Sequence, residues 1–159
     1  MRGKQIALLG LTFKPDTDDM RDAPALSIVD RLLAEGAHVR AFDPVGMPQA
    51  RPLLPESVQY CGDVIEAVDG ADALVVVTEW DAFRSISPEW LRAAMRGKVV
   101  VDLRNIFDAE AMQQAGFSYH SIGRPAVHPV ARLHPMPLRQ PASVRISAGV
   151  NGAQPLPLS

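Results

Sequence analysis

Three features of the sequence predict a doubly wound α/β fold with a mostly parallel sheet of about six strands. Short apolar runs begin near residues 4, 39, 58, 73, 98 and 117, and segments of helical period separate them. The run Ala73-Leu74-Val75-Val76-Val77 is continuously apolar and largely β-branched, which is how a strand covered on both faces reads. The first run opens into a long charged loop, and in open α/β sheets such loops sit at the carboxyl ends of strands, where ligands bind. The expected strand order is 3-2-1-4-5-6, a Rossmann-like arrangement, with its switch point between the strands ending at Leu9 and Val77.

Taken in order, Ile6-Ala7-Leu8-Leu9 is a buried strand, and residues 10–24 form the loop after it. Asp22 is placed to cap a helix from Pro24 to Glu35, with Pro24 in the first turn. Ala25, Ile28, Val29, Leu32 and Leu33 recur at three- and four-residue spacing, giving that helix one apolar face, and Gly36 ends it. Val39 to Phe42 is the next strand, completing a right-handed β-α-β unit. Asp43-Pro44 then starts a turn, or Asp43 holds a ribose as an acid after a second strand can. Residues 44–57 contain four prolines and read as an irregular excursion. Val58 to Tyr60 is a short edge strand.

Asp63-Val64-Ile65-Glu66 has capping-box spacing and opens a short helix that ends at Gly70. The buried strand 73–77 runs into Thr78-Glu79-Trp80, whose indole either stacks on a base or packs under the loops. Ser87 and Pro88 open a helix that Gly97 stops. Residues 98–102 form a strand with Leu103-Arg104-Asn105 at its carboxyl end. Asp108 caps a helix through Gln114, Gly116 ends it, and Phe117 to Tyr119 is the last strand. From residue 125 the periodicity stops, and seven of the fourteen prolines fall in 125–159. The domain is therefore expected to span 1–124, with 125–159 a proline-rich, loosely packed tail. Val144, Ile146 and Val150 show only a trace of strand alternation.

The 159 residues are 47% hydrophobic and 21% charged, enough for one domain with a real core. No apolar run approaches the length of a membrane span. Met1 to Lys4 leads straight into a strand and leaves no room for a signal peptide. The single cysteine, Cys61, rules out an internal disulfide and fits a reducing cytoplasm. All 18 acidic residues lie at or before Glu110, so residues 1–124 are mildly acidic. That argues against nucleic-acid binding. The tail carries Arg132, Arg139 and Arg145 and no acid.

The 10–24 loop carries Lys14 and Arg21 among Asp16, Asp18, Asp19 and Asp22. It lacks the three glycines of the G-x-G-x-x-G dinucleotide fingerprint, since Thr12 stands where the second is needed. Either its cations contact an anion, or the loop is solvated and they pair with its own aspartates. Strand order would bring Lys14, Thr78 to Trp80 and Arg104 to one rim, where two cations suit a phosphorylated ligand.

The run Gly10-Leu11-Thr12-Phe13-Lys14-Pro15-x-Thr17-Asp18-Asp19-Met20-Arg21-x-Ala23-Pro24 closely resembles the signature that opens the C-terminal, UDP-binding domain of UDP-glucose 6-dehydrogenases. Thr78-Glu79-Trp80, Asp102-x-Arg104-Asn105 and Ile122-Gly123-Arg124 resemble the family in the same order, so the resemblance covers about residues 3 to 124. Enzymes acting on GDP-mannose or UDP-N-acetylmannosamine carry related loops. The resemblance implies oxidation of UDP-glucose to UDP-glucuronate with two NAD, through a cysteine-bound thiohemiacetal and thioester, in homo-oligomeric full-length enzymes. It implies that Phe13, Lys14 and Arg104 contact the UDP-sugar and that Arg21 reaches NAD on another domain. The family nucleophile lies in a G-x-C-F-type motif upstream, and none occurs in these residues. Cys61 has no adjacent base to activate it and reads as structural or incidental. The chain is accordingly expected to be a C-terminal piece of such an enzyme, inactive alone; the alternative is a non-catalytic nucleotide-binding or interaction module.

Overall fold

The computed structural model describes residues 1–130. The proline-rich segment from 131 onward, with Val144, Ile146 and Val150, lies outside the described residues. Six strands form one sheet: β1 (Gln5–Leu9), β2 (His38–Phe42), β3 (Gln59–Tyr60), β4 (Ala73–Val76), β5 (Val99–Asp102) and β6 (Ser118–Ser121). Every pairing is parallel and the order is β3-β2-β1-β4-β5-β6, as the pattern of runs predicts. The register aligns Leu9 with both Phe42 and Val76, so β1, β2 and β4 end together and their loops share one rim.

Alternation along the central strands divides the core in two. Ile6 and Leu8 face α1 (Pro24–Ala34) and pack with Ala25, Val29 and Leu32. Ala7 and Leu9 face the opposite side, with Leu74 and Val76. There they meet Ala67 and Val68 of α3 (Val64–Val68), Leu91 of α5 (Pro88–Ala94) and Met112 of α6 (Ala109–Gln114). A strand whose two faces are both apolar is dry on both sides, which explains the unbroken run in β4. The caps expected of Asp63, Ser87 and Asp108 all form, accepting from the amides of Glu66, Trp90 and Ala111.

Several expectations need correction. Asp22 does not cap α1: its backbone turns left-handed (φ 55°), the cap position falls on Ala23, and no side chain caps the helix. The excursion after β2 contains one helical turn, α2 (Met47–Ala50), because Pro48 falls in the first turn, where its missing N–H costs nothing. A further turn of helix, α4 (Asp81–Arg84), follows Trp80. Gly97 is not the stop of α5, which ends at Ala94. It is glycine because a side chain there would overlap the carbonyl of Asp72. β6 starts one residue later than expected and runs on to Ser121, while Phe117 is wholly buried. Beyond residue 124, Val127 still pairs with Tyr119 in an antiparallel bridge at the edge of the sheet.

Candidate functional site

The rim at the switch point is assembled around a buried carboxylate. Asp43, at the end of β2, is 0% exposed. Its Oδ2 accepts from the amides of Leu11 (2.7 Å) and Thr12 (3.2 Å) and from Nε1 of Trp80 (3.1 Å). Its Oδ1 accepts from the amides of Val45 (3.0 Å) and Gly46 (2.7 Å). A buried charge must be hydrogen-bonded throughout, and these donors come from three separate loops. Asp43 is thus the turn starter the sequence allows, and more. Enclosed in this way, its carboxylate has no face left for a ribose.

The loop after β1 leaves through Gly10, whose φ of 90° and contact with Thr78 admit no side chain. Thr78 Oγ donates to the carbonyl of Thr12 at 2.7 Å. The amide of Phe13 donates to the carbonyl of Asp19 at 2.9 Å, closing residues 13–19 into a compact lobe. Each member of Thr78-Glu79-Trp80 reaches a different partner. Thr78 holds the Lys14 loop, Trp80 holds Asp43, and Glu79 Oε2 lies 2.6 Å from Nε of Arg104. Trp80 is 7% exposed and belongs to the core, so of the two options for its indole the structure takes packing.

Arg104 is carried by a second buried carboxylate. Asp102, at the end of β5, accepts from the amides of Arg104 (3.0 Å), Ile106 (2.8 Å) and Phe107 (3.1 Å) and from the hydroxyl of Tyr119 (2.8 Å). Burial first, and the Asp102 carboxylate second, push the Tyr119 hydroxyl far up, so it remains a donor at any ordinary pH. Asn105 exchanges side-chain hydrogen bonds with both backbone groups of Ile122, tying the Arg104 loop to the end of β6.

The structure brings Arg104 against the Phe13 backbone. Nη2 of Arg104 donates to the carbonyl of Phe13 at 3.2 Å, next to Lys14 in the chain. The Phe13 ring is 48% exposed, and Lys14 is exposed and in no ion pair among the described residues. Arg21 stands apart on the other limb of the loop. Its guanidinium is forked onto Asp19 (Nη2 to Oδ2 2.7 Å, Nε to Oδ1 3.0 Å), and it borders an open groove formed with Leu26, Gln49 and Leu53. The Arg21 guanidinium holds the Asp19 carboxyl down at about 2. The self-paired loop thus describes Arg21; Lys14 makes no ion pair among the described residues, though its charge also helps lower Asp19.

Asp102 is what sequence reasoning missed as a rim residue, and Asp43 it offered only as a turn starter or a ribose holder, not as the buried tie it is. The available signal was an aspartate directly after each of two apolar strands. Cys61 is 1% exposed, and burial pushes its thiol up, away from the reactive thiolate. Among the described residues no group of three metal-ligating side chains occurs, and no helix is long and apolar enough to cross a membrane. The rim carries Lys14, Arg104 paired with Glu79, and the exposed Phe13.

Residues 7–109 match the model of the UDP-glucose/GDP-mannose dehydrogenase family, UDP binding domain. The chain is 44% identical to the UDP-glucose 6-dehydrogenase TuaD of Bacillus subtilis over 80% of its length and 28% of the relative's. It is 49% identical to the UDP-glucose 6-dehydrogenase of Rhizobium meliloti over 79% of its length and 28% of the relative's. Among solved structures, a UDP-glucose dehydrogenase from Pyrobaculum islandicum superposes with a TM-score of 0.61 at 35% identity, covering 70% of this chain and 24% of that one. An NDP-N-acetyl-D-galactosaminuronic acid dehydrogenase from Methanosarcina mazei gives 0.68 at 31% identity, covering 77% and 25%. The chain thus spans under a third of the length of the relatives it matches.

Proposed function

Because the chain belongs to the UDP-glucose/GDP-mannose dehydrogenase family through its UDP-binding domain, we propose that it is the UDP-sugar-binding part of an NAD-dependent UDP-glucose 6-dehydrogenase. The observation that supports this is the contact between Arg104 and the carbonyl of Phe13, the residue before Lys14, which makes no ion pair among the described residues. Lys14 serves as a mobile point charge and Arg104 as a planar fork, and together they offset the charge of a diphosphate. Phe13 offers an exposed ring beside them. Arg21, on the far limb of the loop, is directed to NAD held elsewhere in the enzyme. The chain's part in the reaction is to bind and orient the nucleotide; the thiol chemistry and the hydride acceptor come from other parts.

Titration calorimetry with UDP tests the proposal. UDP binds the wild-type chain, and Lys14→Ala and Arg104→Ala each weaken binding about tenfold, or ~1.4 kcal/mol. Arg21→Ala leaves UDP affinity unchanged in the isolated chain. Absence of binding, or indifference to both substitutions, refutes the proposal.

A second sugar specificity is favoured by one observation. The Methanosarcina mazei structure superposes well, and its name specifies a different nucleotide sugar. Repeating the titration with GDP, GDP-mannose, UDP-glucose and UDP-N-acetylmannosamine separates these branches. Binding of nucleotides with no preference among them would favour a general nucleotide-binding module.

A further inference from the structure

We propose that Glu79 is a positioning residue for Arg104, fixing which edge of the guanidinium meets the diphosphate; this rests on the UDP-binding reading above. A guanidinium carries five N–H groups in one plane and can grip an anion by its side edge, through Nε and one Nη, or by its end, through both Nη atoms. Here the side edge is taken. Nε lies 2.6 Å from Glu79 Oε2 in an ion pair, and both atoms are buried beneath the rim; neither makes a well-aligned hydrogen bond, to the other or to any other described residue, so the contact is one of charge. Nη2 gives one proton to the carbonyl of Phe13. Nη1 has no hydrogen-bond partner among the described residues, so the end edge is the one presented outward.

Glu79 is well placed to hold this geometry because its neighbours are themselves pinned. Thr78 is bonded to the carbonyl of Thr12 and Trp80 to the buried Asp43, so the backbone between them has little freedom. The Glu79 and Arg104 side chains are 27% and 33% exposed, a shielded setting in which an ion pair is screened less than at an open surface. Without the carboxylate, Nε would lie buried beside no opposite charge, and the guanidinium would turn outward to find water. A carboxylate beside an anion site also repels the anion. Glu79 therefore trades some attraction for a fixed orientation, and the two effects predict opposite outcomes on its removal.

The experiment is UDP titration of the full chain at one salt concentration. Glu79→Ala weakens UDP binding about fivefold, the size of a displaced charge-assisted contact. Glu79→Gln, which keeps the shape but removes the charge that faces Nε, weakens UDP binding by about the same factor. In an Arg104→Ala background Glu79→Ala has no further effect, since positioning acts only through the arginine. Glu79→Asp keeps the charge but draws the carboxylate back by one methylene. It also weakens binding, which a purely repulsive role would not produce, and it serves if Glu79→Ala does not fold. Tighter binding by Glu79→Ala, or an equal loss with and without Arg104, overturns the proposal. The Nε–H resonance of Arg104 in nitrogen-15 spectra supplies a readout that needs no ligand: it is shielded in wild type and exchanges faster in Glu79→Gln and Glu79→Ala. If the wild type fails to bind UDP, the parent reading falls, while an Nε–H unchanged by Glu79→Ala overturns the positioning role on its own terms.

Discussion

Asp43 shows how one side chain can organise a surface without touching what the surface binds. Its oxygens accept from the amides of Leu11, Thr12, Val45 and Gly46 and from the indole of Trp80, all inside the protein. Removing the carboxylate would leave several buried donors unpaired, each costing on the order of 1–3 kcal/mol. Asp43→Ala is therefore expected to destabilise the fold by roughly 3 kcal/mol or more, lowering Tm by about 10 °C in a thermal melt. A shift of only a degree or two would show that water replaces the carboxylate easily. Asp102 does the same work at the end of β5, three strands further along the sheet, and through it the Arg104 backbone is fixed before Glu79 acts on the side chain.

At the scale of elements, the join between α5 and β5 is held by a second polar knot. Asp72, just before β4, accepts from the amide of Gln5 (2.9 Å) and takes a forked pair of bonds from Arg96 (2.9 and 2.7 Å), while its carbonyl packs against Gly97. The Arg96 bonds first, and the Gln5 amide second, hold its carboxyl down at about 2. The folded value lies below the unfolded one. This stabilisation is therefore present above the ordinary carboxylate range and is lost as pH falls from about 4 toward 2. Asp72→Asn should lower stability at neutral pH by about 1 kcal/mol, a figure reduced by the solvent around Arg96, and should flatten the decline of Tm across that window. An unchanged slope would show that other carboxylates govern acid unfolding. The same knot explains why Gly97 misleads as a helix stop: its constraint comes from a residue far away in the chain.

For the whole molecule, sheet order decides which loops meet. The β3-β2-β1-β4-β5-β6 arrangement sets the loops after β1 and β4 side by side, with that after β5 next to them, although they lie some tens of residues apart in sequence. The result is a rim carrying Lys14, Arg104 and Glu79, with Cys61 buried and no group of three metal-ligating side chains among the described residues. The isolated chain is therefore expected to show no NAD reduction with UDP-glucose, followed by absorbance. Turnover above a heat-denatured control would contradict this division of labour.

The sequence by itself determined the parallel sheet, its strand order and three of the helix caps. These depend on local period and on side chains bonding to backbone only a few residues away, as at Asp63, Ser87 and Asp108. It also supplied the loop signature that marks the family. Tertiary structure alone decided that Asp43 is a buried tie, that Trp80 packs inward, that Arg21 turns back onto Asp19 while Lys14 makes no ion pair among the described residues, and that Glu79 meets Arg104. The failed cap at Asp22 and the close approach at Gly97 belong with these. The physical reason is range: a period or a cap is settled within one or two turns of chain, whereas a buried carboxylate chooses its partners only after distant strands have been brought into register.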